Sequence, residues 1–444
     1  MRPALSGARD HRALATALGS DAGARQQQQR LTVGQLRARG RLRLMVGLLG
    51  PAFVTSVAYV DPGNFATNFA AGADRGYQLV WVVVAANLAA MLVQYLAAKV
   101  GLVTGQSLPE LCRARFGRRG TLLLWFQAET VAMATDLAEF VGAAIGLNLL
   151  FGVPLFLGGL VTAVIAFALL WLEQRGYRRY ELAIVALLAL VGIGFCYLFF
   201  RVGGQDYGGL ARGLVPTLTG GGTVSLAVGI IGATVMPHAV YLHSALHKNR
   251  VRAASVTERE TLLAFNKWDC ALGLGAAGVF NLAMLCVAAA RFRQSTVAAA
   301  SDFGLIHDRL AVVAGGGAAL VFGVALLASG LSSSTIGTQA GQVVMDGFTG
   351  RRIPLIWRRA LTALPSLAVL AVGVSPGQAL LYSQVVLSFG IPFVLFPLLM
   401  LTRDAGVMGK LASGRVTSVA LLAVAVAITA LNVSLIGQLI AGML

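Results

Sequence analysis

Charge is scarce in this sequence. Aspartate, glutamate, lysine and arginine make up 12% of its 444 residues while 57% are hydrophobic, and the mean hydropathy is +0.77, which excludes a soluble domain of this length. Several signatures are missing as well. No GxxxxGK[ST] stretch occurs, which argues against an ATP-driven pump, and no HExxH, which argues against an intramembrane metalloprotease: His238 and His243 have no Glu between them. The short segments of alternating polarity that mark a membrane β-barrel are absent too. The four cysteines, Cys112, Cys196, Cys270 and Cys286, show no CxxC spacing and read as small apolar filler.

What recurs instead is apolar runs of about 20 residues, each long enough to cross roughly 30 Å of hydrocarbon as a helix. Eleven spans are expected, at 44–72, 79–104, 121–149, 153–172, 181–201, 221–247, 268–290, 311–340, 357–374, 378–402 and 415–441. The fold class is an all-α polytopic membrane protein. The formal net charge of +17 does not point to nucleic acid, because the basic residues fall in every second loop. Arg37, Arg39, Arg41 and Arg43 precede span 1, Arg113, Arg115, Arg118 and Arg119 follow span 2, and Arg175, Arg178 and Arg179 follow span 4. Lys248, Arg250 and Arg252, then Arg351, Arg352, Arg358 and Arg359, then Arg403, Lys410 and Arg415 continue the pattern. Those loops face the cytoplasm, so the N-terminus is inside and the C-terminus outside the plasma (inner) membrane. Residues 1–43, rich in Arg and Gln without a secretory apolar core, read as a disordered cytoplasmic tail, and 44–444 as the membrane domain.

Ionisable groups inside a span are costly unless they face a cavity or a partner, so they mark function. Span 1 reads Ala58-Tyr59-Val60-Asp61-Pro62-Gly63-Asn64 at its middle, and span 6 reads Ala233-Thr234-Val235-Met236-Pro237-His238 at the same depth. Proline breaks both helices, freeing carbonyls before the break and amides after it. The breaks open successive blocks of five spans, so residues 44–201 and 221–402 read as inverted repeats with 415–441 as an extra span. Asp61 adds a carboxylate, Asn64 an amide oxygen and Met236 a thioether. A magnesium or calcium site would be built from oxygen alone, whereas sulfur favours softer ions such as manganese, iron, cobalt or cadmium. The plainer readings are capping for Asp61 and Asn64 and core packing for Met236.

Span 3 carries Glu129, Asp136 and Glu139, the last two on one helix face. Stacked carboxylates in a low dielectric resist being ionised together, which suits a proton relay; the alternative is a static salt bridge to Arg358 or Arg359. His238 and His243 take up protons or bind metal. On a regular helix His238 would point about 200° away from Met236, which favours proton handling. In span 10, Gln384 beside Tyr382 and Ser383 offers one more oxygen, while Asn87 and Asn281 read equally as packing or gate residues.

Asp61-Pro62-Gly63-Asn64 and Met236-Pro237-His238 with Tyr241-Leu242-His243-Ser244 resemble the two signature motifs of the Nramp family of divalent-metal transporters, and the resemblance runs from span 1 to the end of the chain. It implies the leucine-transporter-type fold, with spans 1 and 6 unwound. It implies a metal site of Asp61, Asn64 and Met236 side chains with the carbonyls of Ala58 and Ala233, joined in some states by Gln384. The implied proton route resembles Asp136, Glu139, His238 and either Arg358 or Arg359, with His243 a further candidate. The implied activity is import of Mn2+ or Fe2+, with Cd2+ and Co2+ also accepted, together with protons by alternating access. The metal is then cargo, and no resident cofactor, enzymatic activity or nucleic-acid partner is expected for a monomer in the bilayer. A sodium-coupled amino-acid or solute symporter on the same fold is the alternative, and Met236 beside Asp61 argues against it.

Overall fold

A computed structural model describes residues 50–174, 177–248, 255–293 and 302–442. The tail at 1–43, residues 44–49 of span 1, and Arg175, Arg250 and Arg252 lie outside them, as do the side chains of Arg178 and Arg179. In chain order the helices are α1 Pro51–Ser56, α2 Pro62–Arg75, α3 Val80–Thr104, α4 Leu108–Arg115, α5 Arg118–Phe151, α6 Leu155–Gln174, α7 Tyr177–Val202, α8 Tyr207–Arg212, α9 Thr223–Thr234, α10 Pro237–His247, α11 Val256–Arg291, α12 Phe303–Ala314, α13 Gly316–Thr349, α14 Leu355–Val372, α15 Pro376–Arg403, α16 Ala405–Met408 and α17 Arg415–Ile440. Among the described residues there is no strand. Among the described residues, eight helical segments are long and apolar enough to cross a membrane, one of them the pair α9 and α10 taken together at Thr223–His247, with shorter apolar ones at Pro51–Val60 and Leu155–Leu169. The chain is a multi-pass membrane protein.

A helix lies over each expected span, with two departures in extent. Span 7 starts earlier than 268, because the Ser255 hydroxyl accepts from Glu258 N at 3.2 Å and begins α11 in a polar segment that hydropathy alone does not register. Span 8, expected at 311–340, is divided differently. Gly315, at φ 91°, separates α12 from α13, and α13 then continues to Thr349, where Gly350 at φ 69° ends it. The hydroxyl run Ser332 to Thr338 lowers the hydropathy without breaking the helix. Ser332 donates to Ala328 O at 2.8 Å and Thr338 to Ser334 O at 3.0 Å, so these hydroxyls are satisfied by their own helix.

Both expected breaks are present. After α1 the chain tightens into a 3-10 turn over Val57–Val60, Asp61 is extended at φ −84° and ψ 170°, and α2 starts at Pro62. The second break has Val235 and Met236 outside the helical region, the latter at φ −73° and ψ 116°, before α10 starts at Pro237. A proline in the first helical position has no N–H to leave unpaired and a φ already suited to the helix. The exposed start of α1 is satisfied from elsewhere: Gly50 N and Ala52 N donate to the two carboxylate oxygens of Asp269 on α11 at 3.1 and 2.9 Å.

Glycines allow the broken helices to pack tightly. A Cβ at Gly142 of α5 would run into the Pro62 ring, and one at Gly232 of α9 into the backbone at Gln384 and Ser388 of α15. Gly142→Ala is therefore expected to destabilise the protein by about 1–3 kcal/mol and to displace the first break, since the ring cannot rotate aside. A thermal unfolding midpoint equal to that of wild type would show that this approach is not tight. At one membrane face α4 is fixed by a capping box, with Ser107 N donating to Glu110 at 2.7 Å and Lys248 reaching the same carboxylate at 2.5 Å. Partial burial acts to raise the Glu110 pKa, but the Lys248 ammonium and the Ser107 N–H outweigh it and hold the carboxyl below its ordinary range.

Candidate metal site at the two helix breaks

One amide ties the two breaks together. Asn64 Nδ2 donates to Asp61 Oδ1 at 2.8 Å and to the Ala233 carbonyl at 3.0 Å. Asp61 Oδ1 also accepts from Asn64 N at 2.8 Å, so the capping reading of Asp61 is correct for one of its oxygens. The other oxygen is differently placed. Among the described residues, no hydrogen-bond donor reaches Asp61 Oδ2, Asn64 Oδ1 or Gln384 Oε1, all of them buried. Leaving a buried acceptor unsatisfied costs about 1–3 kcal/mol, which makes this cluster of oxygens suited to a cation. Ala58, Asp61, Asn64, Ala233, Met236 and Gln384 are each no more than 1% exposed. Gln384 lies directly over Gly63, where a Cβ would occupy the space of its amide. Tyr382 of the same helix points outward at 68% exposure and has no part in the site.

The carbonyls released by the first break are held by neighbouring helices. Asn281 Nδ2 donates to Tyr59 O at 2.8 Å, Asn68 Nδ2 donates to Asn281 Oδ1 at 3.0 Å, and Ser329 Oγ donates to Val60 O at 2.6 Å. Asn281 therefore supports the break rather than merely packing two helices. Asn68, Ser329 and Asp269 were not anticipated, and their signals are weak. A single serine in an apolar run is commonplace, and Asp269 stands at the drawn edge of span 7, where a carboxylate looks like an end residue. The Tyr59 hydroxyl accepts from Gln94 Nε2 at 2.5 Å, and Gln94 Oε1 lies 2.9 Å from His243 Nδ1. His243 thus belongs to a network at α3, separate from the span 3 carboxylates.

Those carboxylates meet the arginines of α14 in two distinct pairs. Arg359 donates to Asp136 Oδ1 at 2.9 Å, to Thr338 Oγ1 at 2.9 Å and to the Ser334 hydroxyl, with its guanidinium 4.4 Å above the Phe140 ring. Arg358 pairs with Glu129 at 2.8 Å, and Trp125 Nε1 donates to the same carboxylate at 3.2 Å. Glu139, buried one turn after Asp136, has an oxygen that meets no donor among the described residues. Gly337 of α13 faces both acids: a Cβ there would lie 2.7 Å from Glu139 Oε2 and 3.2 Å from Asp136 Oδ1. His238 is placed by α5, its Nδ1 lying 3.2 Å from the Thr135 hydroxyl while Nε2 has no partner among the described residues. The angle expected between His238 and Met236 does not apply, because Met236 precedes the helix and only His238 lies within it.

A family model described as Natural resistance-associated macrophage protein-like (Nramp) matches residues 52–438. The chain belongs to the Nramp family. The divalent metal cation transporter MntH of Deinococcus radiodurans is 47% identical to it over 401 residues, covering 90% of this chain and 92% of that protein. The MntH of Bacillus subtilis is 45% identical over 401 residues, covering 89% and 94%. Among solved structures, a manganese transporter from Eremococcus coleocola in complex with an aromatic bis-isothiourea substituted compound aligns with a TM-score of 0.81 at 33% identity, covering 90% of this chain and 87% of that one. Mhp1, a nucleobase-cation-symport-1 family transporter in a closed conformation, aligns at 0.56 with 16% identity, covering 79% and 77%. At that identity the likeness is one of fold alone. The Nramp members and Mhp1 together bear out the expected all-helical leucine-transporter-type architecture.

Proposed function

We propose that this member of the Nramp family carries divalent transition-metal ions, manganese or iron first and cadmium or cobalt as well, into the cell together with protons. The reading is supported by curated relatives named as divalent metal cation transporters and a structural relative named as a manganese transporter. The observation that carries it is the junction of the two breaks, where Asp61, Asn64 and, from α15 against Gly63, Gln384 bring three buried oxygens that meet no donor among the described residues. Met236 brings the soft ligand at the second break. Tyr59 O and Val60 O already have donors from Asn281 and Ser329, which favours Ala58 as the carbonyl that turns to the metal from the first break. Ala233 O, held by the Asn64 amide, is the counterpart from the second. Residues 44–201 and 221–402 act as inverted repeats around this site, and the half-helices rock to expose it alternately. The N-terminus lies in the cytoplasm and the C-terminus outside the inner membrane.

Protons pass beside the metal rather than through its ligands. Asp136 with Arg359, Glu139 with its unsatisfied oxygen, and His238 at Thr135 form a polar route between α5, α10, α13 and α14; Arg358, paired with Glu129, lies at its margin, and His243 stands apart from it in the Gln94 and Tyr59 network. Purified protein in liposomes with an inside-alkaline pH gradient is expected to take up Mn2+, Fe2+ and Cd2+ in preference to Mg2+ and Ca2+. Uptake of all five ions alike, or of none, would contradict the proposal. Asp136→Asn is expected to cut metal-dependent acidification of the lumen by about 100-fold or more, in line with the usual contribution of a positioned proton-transfer group. Full acidification reported by a pH dye in that variant would return Asp136 to a static ion pair.

A further inference from the structure

A cavity of about 990 Å³ opens between the start of α5 and the end of α13. It is lined by Arg113, Arg118, Arg351 and Arg352 together with apolar side chains that include Leu122 and Trp125. Asp346 offsets part of this charge: Arg352 reaches its carboxylate at 2.9 Å and Arg113 its main-chain carbonyl at 3.2 Å. The Arg118 and Arg351 side chains are exposed and make no contact that would neutralise them among the described residues. Glu110 and Glu129 nearby are already paired with Lys248 and Arg358, so four guanidinium groups against the Asp346 carboxylate leave a positive rim.

The apolar wall lies deeper along the same helix. Leu122 and Trp125 are about 6–10 Å further along α5 than Arg118, and Leu123 and Phe126 beside them are 71% and 68% exposed, as a lipid-facing surface requires. A cationic rim above an apolar wall, with a Trp at the junction, matches an amphiphile with an anionic head. A small soluble anion would use the rim and leave the apolar wall without a partner. We propose that this cavity binds the headgroup and first acyl methylenes of an anionic phospholipid. The proposal rests on the membrane setting of the chain and not on the metal reading. Trp125 in the cavity wall is held in place by Glu129, to which its Nε1 donates at 3.2 Å.

Native mass spectrometry of the detergent-purified protein, titrated with phosphatidylglycerol or phosphatidylcholine, tests this. Wild type is expected to retain phosphatidylglycerol with at least about tenfold preference, and the Arg118→Ala/Arg351→Ala variant to bind it roughly 25-fold more weakly, about fivefold for each arginine. Arg118→Lys/Arg351→Lys, which keeps the charge, should retain most of the binding, and Arg119→Ala, just outside the cavity, all of it. Equal retention of both lipids by wild type would overturn the proposal without reference to any variant. So would unchanged binding in the double alanine variant, or displacement of the lipid by glycerol phosphate at matching concentration, which would make this a site for free phosphate.

Discussion

Asp61→Ala abolishes metal uptake, a fall of more than about 100-fold, since even groups that only orient metal ligands are worth 10–100-fold. Two losses combine in that variant. The oxygen that caps α2 disappears, which by itself costs about 0.5–2 kcal/mol, and so does the buried oxygen that has no donor. Asp61→Asn separates them, because the amide oxygen can still accept from Asn64 N while the negative charge is gone. The account expects Asp61→Asn to unfold near the wild-type temperature and yet to transport no Mn2+ in liposomes. If it transports normally, the carboxylate is a cap and nothing more.

Met236→Ala changes selectivity more than it changes manganese flux. A thioether adds little for calcium, which prefers oxygen, and much for cadmium, so its removal is expected to reduce the preference for Cd2+ over Ca2+ by about 10–100-fold. The side chain is fully buried, and truncating a buried methionine costs about 2–5 kcal/mol through the cavity left behind. Met236→Leu avoids that cost, since it keeps the volume and removes only the sulfur. Both variants should lose selectivity together in competitive uptake. Retention by the leucine variant would assign Met236 to packing.

The breaks were legible because Asp61-Pro62-Gly63-Asn64 and Met236-Pro237-His238 set polar or sulfur-bearing residues beside a proline inside an apolar run; proline alone is no such signal, since Pro365 lies within a continuous α14 and Pro392 and Pro397 within a continuous α15. Asp136 and Glu139 were legible because carboxylates in such a run are rare. Which arginine meets which acid was not: Arg358 and Arg359 are adjacent in sequence, and only the rotation of α14 against α5 sends one to Glu129 and the other to Asp136. The supports of the first break, Asn281, Asn68 and Ser329, come from α11, α2 and α13, and nothing in the local sequence says that these helices converge there. The division between α12 and α13 was obscured for another reason. Hydropathy sums composition, and a glycine at φ 91° ends a helix without lowering the sum much.

The central claim is that a transition-metal ion is held where the two breaks meet, by oxygen from the first and sulfur from the second. Anomalous diffraction at the manganese edge from crystals grown with Mn2+ tests it most directly. A single strong peak within bonding distance of Asp61, Asn64, the Ala233 carbonyl and the Met236 sulfur is the predicted result, and a peak among Asp136, Glu139 and His238 with none at the breaks would contradict it.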